Sequence, residues 1–438
     1  MAPRRLVIAG ATALTMSGPA AVIPDSEIVV EGEYIASVGP RSRPAGAWGG
    51  EAEVIDATGK VLMPGLVNAH VHAAMTLLRG YAEDLPLQDW LREKVWPAES
   101  RLTPEDVYWG TLLGIAEMIL SGTTSFADMY FHMDEVAKAV SQTGVRAALA
   151  PGLVPGPDRG EALLEAARAF AVRWHGAAEG RISVMLGPHA PYTCPPDFLA
   201  RVARLSRELG VGVHIHLAET REEIGECLAR YGRRPLEALR EAGLLEGPLL
   251  AAHCVHLEEG EIRSLASLRG ACVLCPVSNL KLGAGVAPVL EMLDAGVPIA
   301  LGTDGAASAG ALDMFRAMRL AALLPRGVSG DPTRPPAYRV LEMATAGGAR
   351  ALGQERILGR LEPGMKADLV VLDLRLPGTW PVHDVYAGIV HSAGPGNVET
   401  VIVDGRPVLL GRRLLTIDLP RVMAECEERA RRLAAAAG

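Results

Sequence analysis

The stretch Val67-Asn68-Ala69-His70-Val71-His72 follows the apolar run Val61–Leu66, which has the character of a buried strand. In an extended chain alternate side chains share a face, so His70 and His72 can aim two imidazoles at one point, as a pair of metal ligands must. Ordinary strands also carry such pairs, and the pair alone does not define a site. Four other apolar runs end in residues of the same chemical kind. They are Gly187-Pro188-His189-Ala190-Pro191, His214-Ile215-His216-Leu217-Ala218-Glu219, Ala251-Ala252-His253-Cys254-Val255-His256 and Gly302-Thr303-Asp304-Gly305. The chain holds only eleven histidines, so this concentration at strand ends points to a metal-centred site. The corresponding chemistry is activation of water by a divalent cation, with a nearby carboxylate moving protons.

Several elements must bring these stretches together. From about residue 61, strand candidates at 61–68, 122–128, 146–153, 181–188, 211–217, 248–253, 271–277 and 298–303 alternate with helical segments such as Glu105–Leu120, Glu161–His175, Pro196–Glu208 and Arg221–Leu228. Eightfold alternation predicts a (β/α)8 TIM-like barrel, in which reactive groups stand at the C-terminal ends of the strands. Shorter strand candidates flank it: Leu6–Ile8, Ala11–Met16, Ser26–Val30, Tyr34–Val38 and Glu53–Ile55 before it, and Asp368–Asp373, Val385–Val390, Thr400–Val403 and Arg406–Leu410 after it. A closing helix is expected over Leu419–Ala436. The expected organisation is a small β-sandwich domain formed from residues 1–58 and 355–438, with the barrel, 59–354, inserted between them.

Composition fits a globular protein. Of 438 residues, 49% are hydrophobic and 21% charged, which supplies a large core. The net charge of −8 argues against a nucleic-acid partner. Six scattered cysteines indicate a reducing compartment, hence the cytoplasm. Cys272 and Cys275 form a C-x-x-C, but inside an apolar strand-like run and without a second pair. The basic start Met1–Arg5 precedes an apolar run interrupted by Gly10, which reads as a first strand rather than a signal peptide, and no run reaches the length of a membrane span.

These motifs together resemble the amidohydrolase superfamily, and within it the branch of 5′-methylthioadenosine/S-adenosylhomocysteine deaminases and related aminohydrolases. The matching stretches, besides those above, are Pro64-Gly65-Leu66, Trp96-Pro97-Ala98-Glu99, Ser121 to Tyr130, Ser278 to Leu282 and Thr303-Asp304-Gly305-Ala306. The resemblance implies that His70, His72, His216 and Asp304 bind one divalent metal, usually zinc, although iron(II) suits the same donors. His189 stands where two-metal branches carry a modified lysine, so one ion is expected. The resemblance further implies that Asp304 takes a proton from water, that Glu219 protonates a substrate ring nitrogen, and that His253 polarises the incoming oxygen. Glu99 would hold ribose hydroxyls and His189 would contact the nucleoside, with Trp96 walling the mouth beside Trp90. His214 and His256 are expected to be structural.

Two departures from the branch concern substrate choice. Ser308 is followed by Ala309 and Gly310, where the branch commonly has two asparagines. Around the loop Pro151–Arg159, where the branch places arginines for a substrate carboxylate, Arg159 is the one counterpart. Adenosine, 5′-deoxyadenosine or methylthioadenosine therefore fits better than S-adenosylhomocysteine. The expectation is a hydrolytic deaminase acting on a small nucleoside and water, with no membrane partner, and dimeric or tetrameric by analogy. Sibling activities on guanine, pterin or s-triazine rings need the same ion. A non-enzymatic relative that has lost its ligands is the remaining alternative, and the retained ligands and Glu219 argue against it.

Overall fold

The computed structural model describes residues 5–44, 48, 52–156 and 159–437. Met1–Arg4 of the basic start and Pro157-Asp158 of the substrate loop lie outside the described residues.

Five strands open the chain: β1 (Arg5–Leu14), β2 (Val22–Glu31), β3 (Tyr34–Pro40), β4 (Glu53–Asp56) and β5 (Val61–Pro64). The barrel follows as β6 (Leu66–Val71), β7 (Thr123–Tyr130), β8 (Arg146–Leu153), β9 (Ile182–Pro188), β10 (Gly212–Leu217), β11 (Pro248–His253), β12 (Arg269–Leu274) and β13 (Ile299–Leu301). The chain returns to the small domain with β14 (Leu369–Leu372), β15 (Val398–Val403), β16 (Arg406–Leu410) and β17 (Arg413–Leu414) before the helix Leu419–Ala437. Strands β6 to β13 form a parallel sheet in sequential order, as right-handed strand–helix–strand units produce. The terminal strands form one mixed sheet of order β17-β16-β15-β14-β5-β1-β2-β3, with β4 paired to β1. This sheet closes around its own core of Leu6, Ile8, Ile28, Leu62, Leu369 and Ile402.

The single strand expected over 61–68 is two strands in different sheets. Val61–Pro64 pairs antiparallel with β14, while Leu66 onward pairs with β7. Gly65 makes the crossing: a Cβ there would lie 2.0 Å from Thr124 Oγ1, so only glycine lets the chain pass this close. The expected strand Val385–Val390 is instead helical, Val385–Ala387 continued by the π-turn Gly388–Ser392. The β-branched residues there face the core, and Asp384 starts the helix by accepting the Ala387 N–H at 3.0 Å.

Alternation along the barrel strands explains the room for a site. Ala127, Ala148, Ala150, Ala252, Ala271 and Ala300, from strands all around the barrel, meet in one cluster, which the interior alone permits. Their neighbours Phe126, Leu149, Ile215 and Leu274 pack outward in the main core under the helices. An interior lined by alanine leaves space for imidazoles. The seam between β13 and β6 is closed by the N–H groups of Thr303 and Asp304, which donate to the His70 carbonyl at 3.1 and 3.0 Å. Asn68 laces the same seam, accepting the Thr303 N–H at 3.0 Å and donating to Thr303 Oγ1 at 2.7 Å.

Gly302 is the close-packed point of that seam, since an added Cβ would lie 2.8 Å from both Cβ and O of His70. Gly302→Ala is expected to push β13 off β6, costing about 1–3 kcal/mol of stability and weakening metal retention through His70 and Asp304 together. Urea unfolding and metal content of the purified variant check this; wild-type values for both would contradict the seam's role.

A candidate metal centre and the cavity above it

His70 ends β6 fully buried, with Nδ1 2.7 Å from His214 Nε2 and with Nε2 lacking a partner. His72 Nδ1 lies 2.6 Å from the Met129 carbonyl, and His216 Nδ1 lies 2.7 Å from the His189 carbonyl. A carbonyl can only accept, so both Nδ1 atoms carry a proton and each Nε2 is the nitrogen turned toward the cluster, free to bind a cation once it carries no proton of its own. Those two Nε2 atoms face each other at 3.4 Å. Asp304 Oδ1 stands 3.2 Å from His72 Nε2 and 3.6 Å from His70 Nε2. Two converging triads, His70–His72–Asp304 and His70–His216–His253, hold their donor atoms within 4.8 Å of one another.

Lone pairs and a carboxylate converging in a buried space require a positive charge at the centre. The titration behaviour reflects this demand. Burial works against a charged His72, yet contact with Asp304 lifts its pKa to about 9. Burial also opposes ionisation of Asp304, yet His70 and His72 hold it well below the usual carboxylate range. Burial depresses His70 to about 3 and keeps His216 neutral, as ligand imidazoles must be. Converging imidazoles and a carboxylate form a donor set that suits a divalent cation.

The surrounding residues fix these groups in place. Asp304 Oδ2 accepts hydrogen bonds from Ser278 Oγ at 2.5 Å and Ser308 Oγ at 2.8 Å. Ser308 thus has a role that does not need the asparagines missing after it. His253 Nδ1 lies 2.8 Å from Asn279 Oδ1 and 3.6 Å from Glu219 Oε1. Ala218, His253, Cys254 and Asp304 all have positive φ, at 51°, 73°, 53° and 65°. Such strain in non-glycine residues persists where the surroundings dictate it, and here it marks the strand ends around the site.

A cavity of about 770 Å³ opens above the cluster, within the usual size for small-molecule sites. Glu219, His189, Glu99, Trp96, Trp90, His72, His216, His253 and Asp304 all line it. Burial raises Glu219 and pushes Glu99 up to about 7, the latter beside Tyr130. Glu99 Oε1 is buried without a partner. His189 is lowered to about 4 by burial. Its Nδ1 meets Thr193 Oγ1 at 2.9 Å, and that hydroxyl donates to the Ala190 carbonyl at 3.1 Å, so Nδ1 must donate and Nε2 remains an acceptor. Arg159 is the exception among the expected site residues. It lies exposed at the start of the helix Gly160–Trp174 and is not among the described residues that line the cavity.

Some residues around the site were not evident from the chain. His214, expected to be structural, fixes the tautomer of His70: His70 offers Nε2 only if its Nδ1 proton goes to His214. Glu223 accepts the N–H groups of Ala218 at 3.1 Å and Glu219 at 2.7 Å, and so sets the backbone that presents Glu219. The capping pattern Thr220-x-x-Glu223 ahead of the helix Arg221–Tyr231 was its available signal. Tyr130 and Asn279 stand in stretches that match the family, but their partners Glu99 and His253 come from other elements and could not be named from the chain.

Comparison with known proteins agrees with this geometry. The amidohydrolase family pattern matches residues 61–408. A protein of Pelotomaculum thermopropionicum named 5-methylthioadenosine/S-adenosylhomocysteine deaminase is 52% identical over 429 residues, covering 98% of each chain. A protein of Methanosarcina mazei named 5′-deoxyadenosine deaminase is 46% identical over 432 residues, again covering 98% of each. The crystal structure of an adenosine deaminase from Xanthomonas campestris with bound zinc superposes with a TM-score of 0.93 at 37% identity, covering 99% of each chain. With a divalent-metal donor set at the mouth of its barrel and a family match across most of its length, the chain belongs to the amidohydrolase family.

Proposed function

We propose that the protein is a zinc-dependent hydrolytic deaminase of adenosine-type nucleosides, giving the inosine-type product and ammonia. The observation that carries this reading is one cavity that joins the histidine–aspartate cluster to Glu99, whose Oε1 is buried without a partner. A vicinal diol donates well to such a carboxylate, which favours a ribose-bearing substrate. The names of the relatives support the same substrate class.

A zinc ion held by His70, His72, His216 and Asp304 supplies Lewis acidity that makes water nucleophilic near neutral pH. The remaining work falls to the chain. Glu219, raised by burial, keeps its proton to higher pH than an exposed glutamate and gives it to N1 of the purine. Protonation draws electron density from C6, and the water oxygen adds there. Asp304 accepts the water's proton at Oδ1, the oxygen that faces His70 and His72 and takes the Gly305 N–H, while Ser278 and Ser308 hold Oδ2. His253, tied through Nδ1 to Asn279, orients the incoming oxygen. Asp304 then returns its proton to the exocyclic amino group, the bond from C6 to that nitrogen breaks to release ammonia, and the proton of the new hydroxyl goes to Glu219 as the carbonyl forms. His189 Nε2 accepts a hydrogen bond from the nucleoside, and Trp90 and Trp96 wall the entrance.

The test is ammonia release by the zinc-loaded protein from adenosine, 5′-deoxyadenosine and methylthioadenosine, with guanine and a chlorotriazine as comparison substrates. Turnover of the adenine nucleosides is expected, with loss on chelation and recovery on zinc addition. Turnover confined to guanine or the triazine would replace this reading by a sibling activity.

A further inference from the structure

The helix Leu419–Ala437 ends the chain, yet it packs against three elements beside the site: the helix Pro104–Leu120, the short helix Trp96–Glu99 and the turn Ala73–Leu78 that follows His72. Its Val422, Cys426 and Leu433 are buried in the same core as Val95, Ala98 and Leu102, which flank Glu99 in sequence. Cys426 Sγ donates to the Trp109 carbonyl at 3.2 Å, and the Arg421 guanidinium lies over the Trp109 ring. None of the helix's described residues lines the cavity, so any influence it has on the site is indirect.

Its polar contacts converge on the stretch just after Glu99. Asp106 is 2% exposed, and its Oδ2 accepts from Arg432 Nη2. The same oxygen accepts the backbone N–H and the hydroxyl of Thr103, each at 2.8 Å. Arg429 Nε stands 3.5 Å from Asp106 Oδ1, and Arg429 Nη2 donates to Glu105 Oε1 at 2.8 Å. Thr103 and Asp106 form the capping box that starts the helix Pro104–Leu120. From Thr103 back to Glu99 the backbone is wound without a gap. The Leu102 N–H donates to the Glu99 carbonyl at 3.0 Å, the Arg101 N–H to that of Ala98 at 3.1 Å, and the Ser100 N–H to that of Trp96 at 2.9 Å. A shift of Thr103 is therefore passed to Glu99. Glu99 lines the cavity with Oε1 buried and unpartnered, so no contact of that oxygen corrects such a shift.

We propose that Arg432, together with Arg429, is a positioning residue for Glu99: acting through Asp106 and Thr103, the terminal helix fixes residues 96–102 and with them the Glu99 carboxylate. The proposal rests on the nucleoside reading above, in which Glu99 contacts the substrate, and it makes the last helix of the chain part of the binding apparatus. The contact is suited to that task because Asp106 is buried and hydrogen-bonded, and such a charge-assisted pair holds its geometry better than one exposed on both sides.

Arg432→Gln is the test, because Arg432 is half exposed and its loss leaves Arg429 beside Asp106. Its kcat/KM for adenosine is expected to fall about three- to tenfold through KM, with kcat and zinc content kept. In a Glu99→Gln background the same change is expected to cost less than about twofold, since residues that act as a unit are not additive. An unchanged kcat/KM overturns the proposal. An equal loss in both backgrounds does so too, because the helix would then act on something other than Glu99. A fall in kcat alone, or loss of zinc, would place the effect at the metal cluster and is equally contrary. Thr103→Val removes the hydroxyl that joins the turn to Asp106 and leaves both arginines in place. The same pattern is expected of it, wild-type kinetics would overturn the proposed path, and this arm decides if Arg432→Gln does not fold. Failure of the wild-type protein to deaminate any adenine nucleoside overturns the parent reading instead.

Discussion

Glu219→Gln is expected to lower kcat/KM for adenosine by about 10²–10⁴-fold, the usual contribution of a positioned proton donor, without loss of bound zinc. The two properties separate because Glu219 stands beside the donor cluster rather than within it. Its Oε1 lies 3.6 Å from His253 Nδ1, and neither metal-type triad includes it. Its backbone N–H is held by Glu223, and that contact survives any change to the Glu219 side chain. Glutamine keeps the size and polarity of the group but has no proton to give to N1. Steady-state kinetics with metal analysis of the same preparation decide the matter. Activity within about tenfold of wild type would assign the proton transfer elsewhere, and loss of zinc would make the residue part of the metal site.

The site was legible in the chain for a specific physical reason. In a parallel barrel every strand ends at the same face, so residues far apart in sequence but alike in position, such as His70, His216 and Asp304, converge without any further information. The geometry brings all the expected donors to one point and places Glu219, His253, Glu99 and His189 in the cavity beside it. Other features depended on packing between elements, and local pattern did not reveal them. The break at Gly65 is hidden because Val61–Val71 is apolar on both sides of it, and only the approach of Thr124 shows where one sheet ends and the other begins. Val385–Val390 has β-branched residues that favour a strand, yet burial of Tyr386, Ile389 and Val390 against neighbouring helices makes it helical. Arg159 was assigned by its place in a loop, and a loop's sequence says nothing about which way its side chains turn.

The least legible feature is Arg146, and it carries the second large effect. Arg146 begins β8 at the end of the barrel opposite the site, with its side chain 1% exposed. Its Nε donates to Asp368 Oδ2 at 3.0 Å, and its Nη2 to Asp404 Oδ1 at 2.5 Å. Both acids belong to the small domain, 222 and 258 residues away in the chain. Asp368 also accepts the Asp404 N–H at 2.9 Å, and its carbonyl takes the Gly65 N–H at 2.9 Å where the chain crosses between sheets. One guanidinium thus joins the barrel to the terminal sheet. The two aspartates hold it charged despite burial, while burial raises Asp404. Removing Arg146 takes the guanidinium from Asp368 and leaves Asp404 only Lys366 and Arg181, at 3.7 and 3.8 Å, so Arg146→Met is expected to cost about 3 kcal/mol of stability. Adding Asp368→Asn and Asp404→Asn to that variant should recover much of the loss, because the amides keep their acceptor oxygens for the backbone but bring no charge. Urea unfolding of wild type, single and triple variants measures both steps. A single-variant loss below about 1 kcal/mol would show that water reaches the aspartates and that the domains are held together by their apolar contacts instead.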